Sequence, residues 1–565
     1  MLVDLYRREL NLLLGQAAEF GQNHPALAPW LGAKGSDPDV ERLLEGVAYL
    51  AAVIRRQLAE GFPALAGALV DLLFPRLGQA LPALTLCQFQ PAVGFSETKV
   101  APLGAQLAAI PINSVRARFA LTEPVAIWPA QINRAQLTLG TNQTGVLEIR
   151  ISGHSPLKNW VTEKLDLRLA GELGEACERR ELIARHTRSI EVTTGSETIS
   201  LSPKAIEPGG FLPALGSGRY QGYSLIREYF AFPEKFLSLR LNGLSPLRVS
   251  GESGFTARFF LENLPKNIPA IKPEHFLLNV APAINLMTRP AQPISVDHRH
   301  DEYLIRPQKS QAENLTLHSV QKVVGVSTAG ERPYLPFTGY GGLGGVGYYS
   351  IRRQEDSGSG QTEHYLTVIH PKGQRPRAAE TLSLDLACYN QDLTDFLRPG
   401  DICQPTENSP AMASFANIVA PSKVCPPPAD EGALWRILSH LHLSLSPLSS
   451  AENLRDLLAL YAPPIDSDPT RKVATRAKIA SILDIDTRTG DAFVRGWPLR
   501  GSELDVTIDG AQFSSPGEVG LFGDILDRFL ADFLPLNAYL RLSITDKNSQ
   551  EIRQWPIRLG SKKII

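Results

Sequence analysis

Three groups of residues in this 565-residue sequence have types and spacings that could do chemistry. Gly339-Tyr-Gly341-Gly-Leu-Gly344 matches the dinucleotide fingerprint, in which glycines let the backbone approach a pyrophosphate at a helix N-terminus. That motif needs a buried strand before it and a helix after it. Here Arg332-Pro-Tyr-Leu-Pro336 precedes and Gly345-Val-Gly-Tyr-Tyr-Ser350 follows, so the run reads as a glycine-rich loop. His298 with His300, and His440 with His442, are two residues apart, a spacing that on a strand puts both imidazoles on one side, where they could share a metal. Neither pair has a third ligand at a familiar interval, and surface or capping histidines are the reading. The carboxylate pairs Asp484 and Asp486, or Asp505 and Asp509, could support acid and base catalysis, but such spacing usually marks a solvated face or a strand end. The sequence contains no Gly-x-Ser-x-Gly elbow, no phosphate loop ending in Gly-Lys-Ser/Thr and no His-Glu-x-x-His. No catalytic residue, cofactor or metal site is assigned.

The elements that would have to position such groups form an α+β multidomain chain. Leu2, Tyr6, Leu10, Leu13, Ala17 and Phe20 recur every three to four residues, which makes an amphipathic helix. Ser36-Asp-Pro-Asp39 is a start signal for a second one: a capping side chain, a proline at the first position and an acid near the positive end. Its stripe is Val40, Leu43, Leu44, Val47, Leu50, Ala51, Ile54 and Leu58, ending at Gly61. A shorter helix is expected over Ala64 to Leu73. Two apolar stripes near the start of the sequence either close a helical hairpin or join a bundle with a partner chain.

From Leu84 the period changes to two. Leu84 to Phe89, Ala135 to Leu139, Val146 to Ile151, Leu165 to Leu169, Phe236 to Leu241, Arg258 to Leu261, His364 to Ile369 and Thr381 to Leu386 read as half-buried strands. Prolines 405, 410, 421, 426, 427 and 428 read as a stiff linker. Beyond it, Ser449 and Glu452 suggest a capping box, and helices are expected near Leu454 to Tyr461, Val473 to Leu483 and Leu521 to Phe533, the last carrying an Asp524 to Arg528 pair one turn apart. Strands are expected at Glu503 to Ile508, Tyr539 to Ile544 and Ile552 to Ile557. The expected organisation is a helical segment at 1–80, a first β-rich domain at 81–215, a second at 216–430 ending in the linker, and a mixed α+β domain at 431–565.

Composition narrows the function. Lys plus Arg number 57 against 58 Asp plus Glu, which gives no bulk attraction to nucleic acid or anionic lipid. Five scattered cysteines make no disulfide framework and fit a reducing compartment. The N-terminus reads as retained rather than as a signal peptide, and no window holds the roughly 18 uninterrupted apolar residues of a membrane span.

Several long strings resemble a known family. Tyr223-Ser-Leu-Ile-Arg-Glu-Tyr-Phe-Ala-Phe-Pro-Glu-Lys-Phe236 matches, nearly letter for letter, the central signature of the type VI secretion baseplate family TssF, also called ImpG or VasA. Within it stand Arg227, Glu228, Tyr229, Phe230, Phe232, Pro233, Glu234, Lys235 and Phe236. The resemblance continues through Asp37 to Glu45, Phe62 to Leu65, Phe276 to Leu286, Pro293 to Arg299, Trp435 to Leu441 and Phe522 to Phe529, in the family's order. Val280 departs from it, standing where many members have cysteine. The resemblance implies a cytoplasmic structural subunit, similar to wedge proteins of contractile phage tails, docked at the inner membrane through the baseplate and not an enzyme. It implies two copies of this chain embracing one TssG, with TssK, TssE and neighbouring wedges as further partners and no nucleic acid or direct membrane insertion. On this reading Leu10, Leu13, Val47, Leu50 and Ile54 build the bundle with TssG and the second copy. Two alternatives stay open: a wedge protein of another contractile injection device, and a β-rich enzyme or carbohydrate binder.

Overall fold

The computed structural model describes residues 2–23, 39, 42–53, 69–70, 77–92, 94–195, 197–216, 221–297, 300–308, 315–328, 330–337, 347–355, 362–370, 380–410, 413–427, 431–439, 450–462, 469–494 and 496–560. Its longer helices are α1 (Leu2–Asn23), α2 (Leu173–His186), α3 (Gln221–Ala231), α4 (Glu431–Ser439), α5 (Ala451–Ala459), α6 (Pro469–Ala480) and α7 (Pro516–Ala531), and residues 42–53 are helical as well. Met1–Pro75, Ile351–Tyr365 and Pro428–His440 form one compact unit, and the rest of the chain forms a second.

In the first unit, Tyr6, Leu10, Leu13 and Ala17 of α1 are half-buried and Phe20 is exposed. The helix at 42–53 buries Ala48 and Ala52 while Leu43, Val47, Tyr49 and Leu50 face outward. Helix α4 buries Leu434, Ile437 and Leu438, one face at helical spacing. The helix expected over Ala64 to Leu73 is described only at 69–70.

The second unit is mostly strands. A six-stranded sheet runs Gln404–Pro405, Gln106–Ala108, Arg118–Leu121, Val280–Ile284, Leu84–Pro91, Ala413–Asn417, so one sheet takes strands from three distant parts of the chain. Its inward residues, among them Phe89, Leu107, Phe119, Leu121 and Phe415, close one core. A five-stranded sheet runs Thr198–Leu201, Thr187–Thr193, Gly254–Leu261, Gly145–Gly153, Ala130–Leu139. A four-stranded sheet runs Ile206–Pro208, Ser238–Asn242, Lys164–Leu169, Phe276–Leu277. In a further sheet Glu380–Asn390 is central, flanked by Met287–Pro290 and Ile294–Val296 on one side and Leu315–Ser327 on the other.

The C-terminal sheet contains a βαβ unit. Trp497–Ile508 and Tyr539–Asp546 run parallel, from Gly501 opposite Tyr539 to Ile508 opposite Asp546, and α7 is the crossover between them. Ile482–Val494 pairs antiparallel to the outer side of Trp497–Ile508. The start of α7 follows from its letters: Ser515 Oγ accepts from Glu518 N at 3.3 Å and Pro516 fills a position whose N–H would be orphaned.

Several sequence expectations change. Pro233–Phe236 is a 3-10 turn, because Pro233 fixes the backbone at its first position, and the following strand begins at Ser238. The helix expected to Leu483 ends at Ala480, and Ile482 already starts a long strand. Pro556, which has no N–H, splits the last strand into Ile552–Gln554 and Arg558–Leu559. Ser449 of the proposed capping box lies outside the described residues, and Ser450 is the N-cap of α5 without a side-chain cap hydrogen bond. The proline-rich stretch, expected to be an extended linker, turns at 406–409 and is built into the fold. Pro405 pairs with Leu107, Ser422 Oγ accepts from Leu84 N at 3.0 Å, and Cys425 bridges to Leu81.

Candidate functional site

The signature string folds as α3 followed at once by the Pro233–Phe236 turn. Its side chains are buried on every side of the helix: Arg227, Glu228, Tyr229, Phe230, Phe232, Lys235 and Phe236 are all at most 6% exposed. A helix surrounded in this way is the centre of a unit, not its surface. Glu234 is half-buried and bonds Arg471 at 3.1 Å.

Each charged letter has a structural task. Lys235 Nζ, fully buried, meets Glu228 Oε2 and also donates to the Leu212 carbonyl. Glu228 Oε1 accepts from Ala214 N at 2.8 Å, so the ion pair ties the loop before α3 to the turn after it. Arg227 donates to the carbonyls of Gln79 at 2.7 Å, Cys425 at 3.0 Å and Pro426 at 3.2 Å, clamping the lead-in to the first strand against the proline-rich segment. The carbonyl of Lys235 in turn accepts from Arg168 at 2.8 Å, and burial lowers the Arg168 pKa to about 9.

Tyr229 connects the signature to α6 and α7. Its hydroxyl donates to Glu518 Oε1 at 3.3 Å, its ring stacks obliquely on Phe522 at 5.9 Å, and Lys478 Nζ lies 5.6 Å above it while pairing with Glu518. Burial, reinforced by the Glu518 carboxylate, pushes the tyrosine hydroxyl well above its ordinary range. Burial would also raise Glu518, but the Lys478 ammonium and two hydrogen bonds from Ser514 outweigh it and hold the carboxyl below its ordinary value.

Close backbone approach makes these contacts possible. A Cβ at Gly222 would lie 2.5 Å from the Cα of Phe529, and Gly222 N donates to Asp532 Oδ2 at 2.7 Å, so α3 and α7 touch. On α7, Gly517, Gly520 and Gly523 recur every third residue. A Cβ at Gly517 would stand 2.5 Å from the Cys177 carbonyl carbon of α2, one at Gly520 would meet the Glu181 carboxylate, and one at Gly523 the Trp555 ring. The Asp524 to Arg528 pair expected from spacing does not form through side chains. Arg528 donates to the Asp524 carbonyl at 2.8 Å, whereas the Asp524 carboxylate takes Arg180 at 2.5 Å and the Trp555 indole at 2.7 Å. Burial would raise this carboxyl, but Arg180 and Arg528 lower it.

The other candidate groups lie elsewhere. Leu10 and Leu13 are half-buried on α1, Val47 and Leu50 are 46% and 62% exposed, and Ile54 lies outside the described residues. Gly339 to Gly344, His298, His440 and His442 also lie outside them. His300 is exposed, with Nδ1 3.1 Å from Asp297 Oδ2. Asp486 binds Arg488 at 2.6 Å on a strand face, and Asp509 caps the turn after its strand. Among the described residues, no group of three or more His, Cys, Asp or Glu side chains gathers in a way that could hold a metal. Sequence reading missed the Lys478–Glu518 contact and the glycine stripe of α7. The three-residue glycine spacing was the available signal for the latter.

The match to known proteins extends over this whole framework. The sequence model of the family described as Type VI secretion system, TssF matches residues 1–562. The chain belongs to the TssF family. It is similar to the type VI secretion system component TssF1 of Pseudomonas aeruginosa strain PAO1, with 26% identity over 629 aligned positions covering 99% of each. It also resembles a chain in the cryo-electron microscopy structure of the TssK-TssF-TssG baseplate subcomplex, at TM-score 0.73 and 26% identity, covering 92% of this chain and 99% of that one. A chain of the type VI secretion baseplate complex shares the fold at TM-score 0.61 and 24% identity over the full length of both. As a TssF-family protein it is a component of the type VI secretion baseplate. No described helix is long and apolar enough to cross a membrane.

Proposed function

We propose that this TssF-family chain is a scaffold of the baseplate wedge and no enzyme, with two copies embracing one TssG, bound to TssK, and with TssE nearby. The assembly works in the cytoplasm and docks at the inner membrane through the baseplate. The observation that carries this reading is the 92% overlap with a chain solved together with TssK and TssG.

Leu10, Leu13, Val47, Leu50 and Ile54 supply this chain's side of a helical bundle with TssG and the second copy. Leu43, Val47 and Leu50 support that assignment, because they form an i, i+4, i+7 stripe that faces outward while Ala48 and Ala52 face inward. Contacts between copies or wedges are assigned to the C-terminal domain, where Phe493 and Trp497 at the end of the long hairpin are 82% and 74% exposed.

Co-expression with TssG and TssK, pull-down through a tag on this chain and mass determination test the reading. A stable complex with two copies per TssG is expected. A folded, monodisperse chain that elutes alone would overturn it. Leu50→Glu tests the bundle: loss of the complex with unchanged circular dichroism is expected, and an intact complex would move the interface elsewhere.

A further inference from the structure

A small cavity of about 290 Å³ opens at one end of the six-stranded sheet, beside its Gln404–Pro405 edge strand. Two arginines flank it. Arg116 and Arg118 stand on either side of the fully buried Ala117, so on extended backbone both project to the same exposed side. The backbone there is held in place: Arg118 pairs with Ala108 in the sheet, and its carbonyl accepts from Asn285 Nδ2 at 2.8 Å. Among the described residues, neither guanidinium has a carboxylate within 4.0 Å or a hydrogen-bond partner.

The opposite wall is also fixed. Thr406 Oγ1 donates to the Gln106 carbonyl at 2.9 Å, and Ser409 Oγ accepts from Thr406 N at 2.7 Å, which holds the 406–409 turn against the sheet. Gln106 and Glu407 belong to the same lining. Glu407 is exposed there.

From this arrangement we infer that the Arg116–Arg118 cavity is a docking site for an acidic segment of a partner protein, taking an Asp or Glu side chain between the two guanidiniums. An arginine fork matches a carboxylate with two parallel N–H donors. The charge of the lining decides between a carboxylate and a phosphate. A phosphate group carries a charge of about −1.5 to −2 near neutral pH, whereas a carboxylate carries a single negative charge. The lone anion at Glu407 leaves the site with one net positive charge for a single incoming carboxylate. None of this depends on the N-terminal bundle, so the two assignments fail independently.

The test uses the full chain and a dye-labelled peptide of alternating Glu and Gly, acetylated and amidated so that side-chain carboxylates are its only charges. Fluorescence anisotropy is expected to show saturable binding that weakens as salt is raised. The Arg116→Ala, Arg118→Ala double variant should weaken it by about tenfold or more, and Arg118→Lys should weaken it less, because a lysine keeps the charge but not the fork. Both positions are exposed, and unchanged circular dichroism will show that the variants remain folded. Equal binding of the Gln–Gly peptide, equal binding by the double variant, or no binding at millimolar peptide would each overturn the proposal. Inorganic phosphate should not displace the peptide at equal concentration, and displacement would overturn the peptide assignment in favour of a phosphate site.

Discussion

The signature helix α3 and the helix at 42–53 use apolar and charged letters in opposite ways. In α3 even the arginine, the glutamate and the following lysine are buried, each answered by a named partner within the same compact unit. At 42–53 alanines are buried and the large side chains of Leu43, Val47 and Leu50 are left outside. A buried polar residue must satisfy every hydrogen bond at once, so few letters will do and the string reads like a signature. An outward stripe needs only the right period and enough apolar area, so many sequences would serve.

The sharpest way to break this contrast is to remove one half of the buried pair. Lys235→Met should destabilise the chain by about 3–5 kcal/mol, because Glu228 is then buried without its countercharge, and the double change with Glu228→Leu should recover much of the loss. Urea unfolding of the three variants measures it, and equal stability of single and double variants would count against the pair. Gly520→Val comes next. Its side chain must displace the Glu181 carboxylate or push α2 from α7, at about 1–3 kcal/mol, whereas Gly46→Ala, with open space around its Cβ, should be neutral or stabilising in a thermal melt.

Acid should act on the hub and spare the stripe. Glu518 and Asp524 have folded pKa values below the ordinary 4.5 and 3.8, so their contribution to stability is present above those values and lost as pH falls through the folded ones. Urea midpoints between pH 7 and pH 3 should therefore drop, and Glu518→Gln should flatten the drop. Tyr229→Phe removes one long hydrogen bond and should cost about 0.5–1.5 kcal/mol. Leu50→Glu should be the smallest of all in the isolated chain, within about 0.5 kcal/mol, since an exposed position has no cavity to lose.

How much of this was legible in the sequence follows the same division. Period-two strands such as Val146 to Ile151 were readable because one face is buried against the core and the other is not. The strand Ile482–Val494 was missed, its first residues being read as the end of a helix. Beyond Ile485 its side chains are exposed or half-buried, which leaves no apolar alternation to find. The family string was readable as letters, but its physical meaning was not. Arg227 meets carbonyls 148 and 198 residues away, and a backbone carbonyl belongs to every residue, so no side-chain pattern marks it. The Asp524 to Arg528 expectation failed because local spacing was outweighed by Arg180, 344 residues away.

The six-stranded sheet also sets an order of events during synthesis. Leu84–Pro91 sits between Val280–Ile284 and Ala413–Asn417, so an early strand waits for two late ones. At translation rates of about 5–20 residues per second, that wait lasts tens of seconds, with apolar surface and open strand edges exposed near the ribosome. The Arg227 clamp can close only when Cys425 and Pro426 emerge. A nascent chain of this design therefore keeps strand edges open until most of it has been made, and a ribosome stalled before residue 413 would leave its central sheet incomplete.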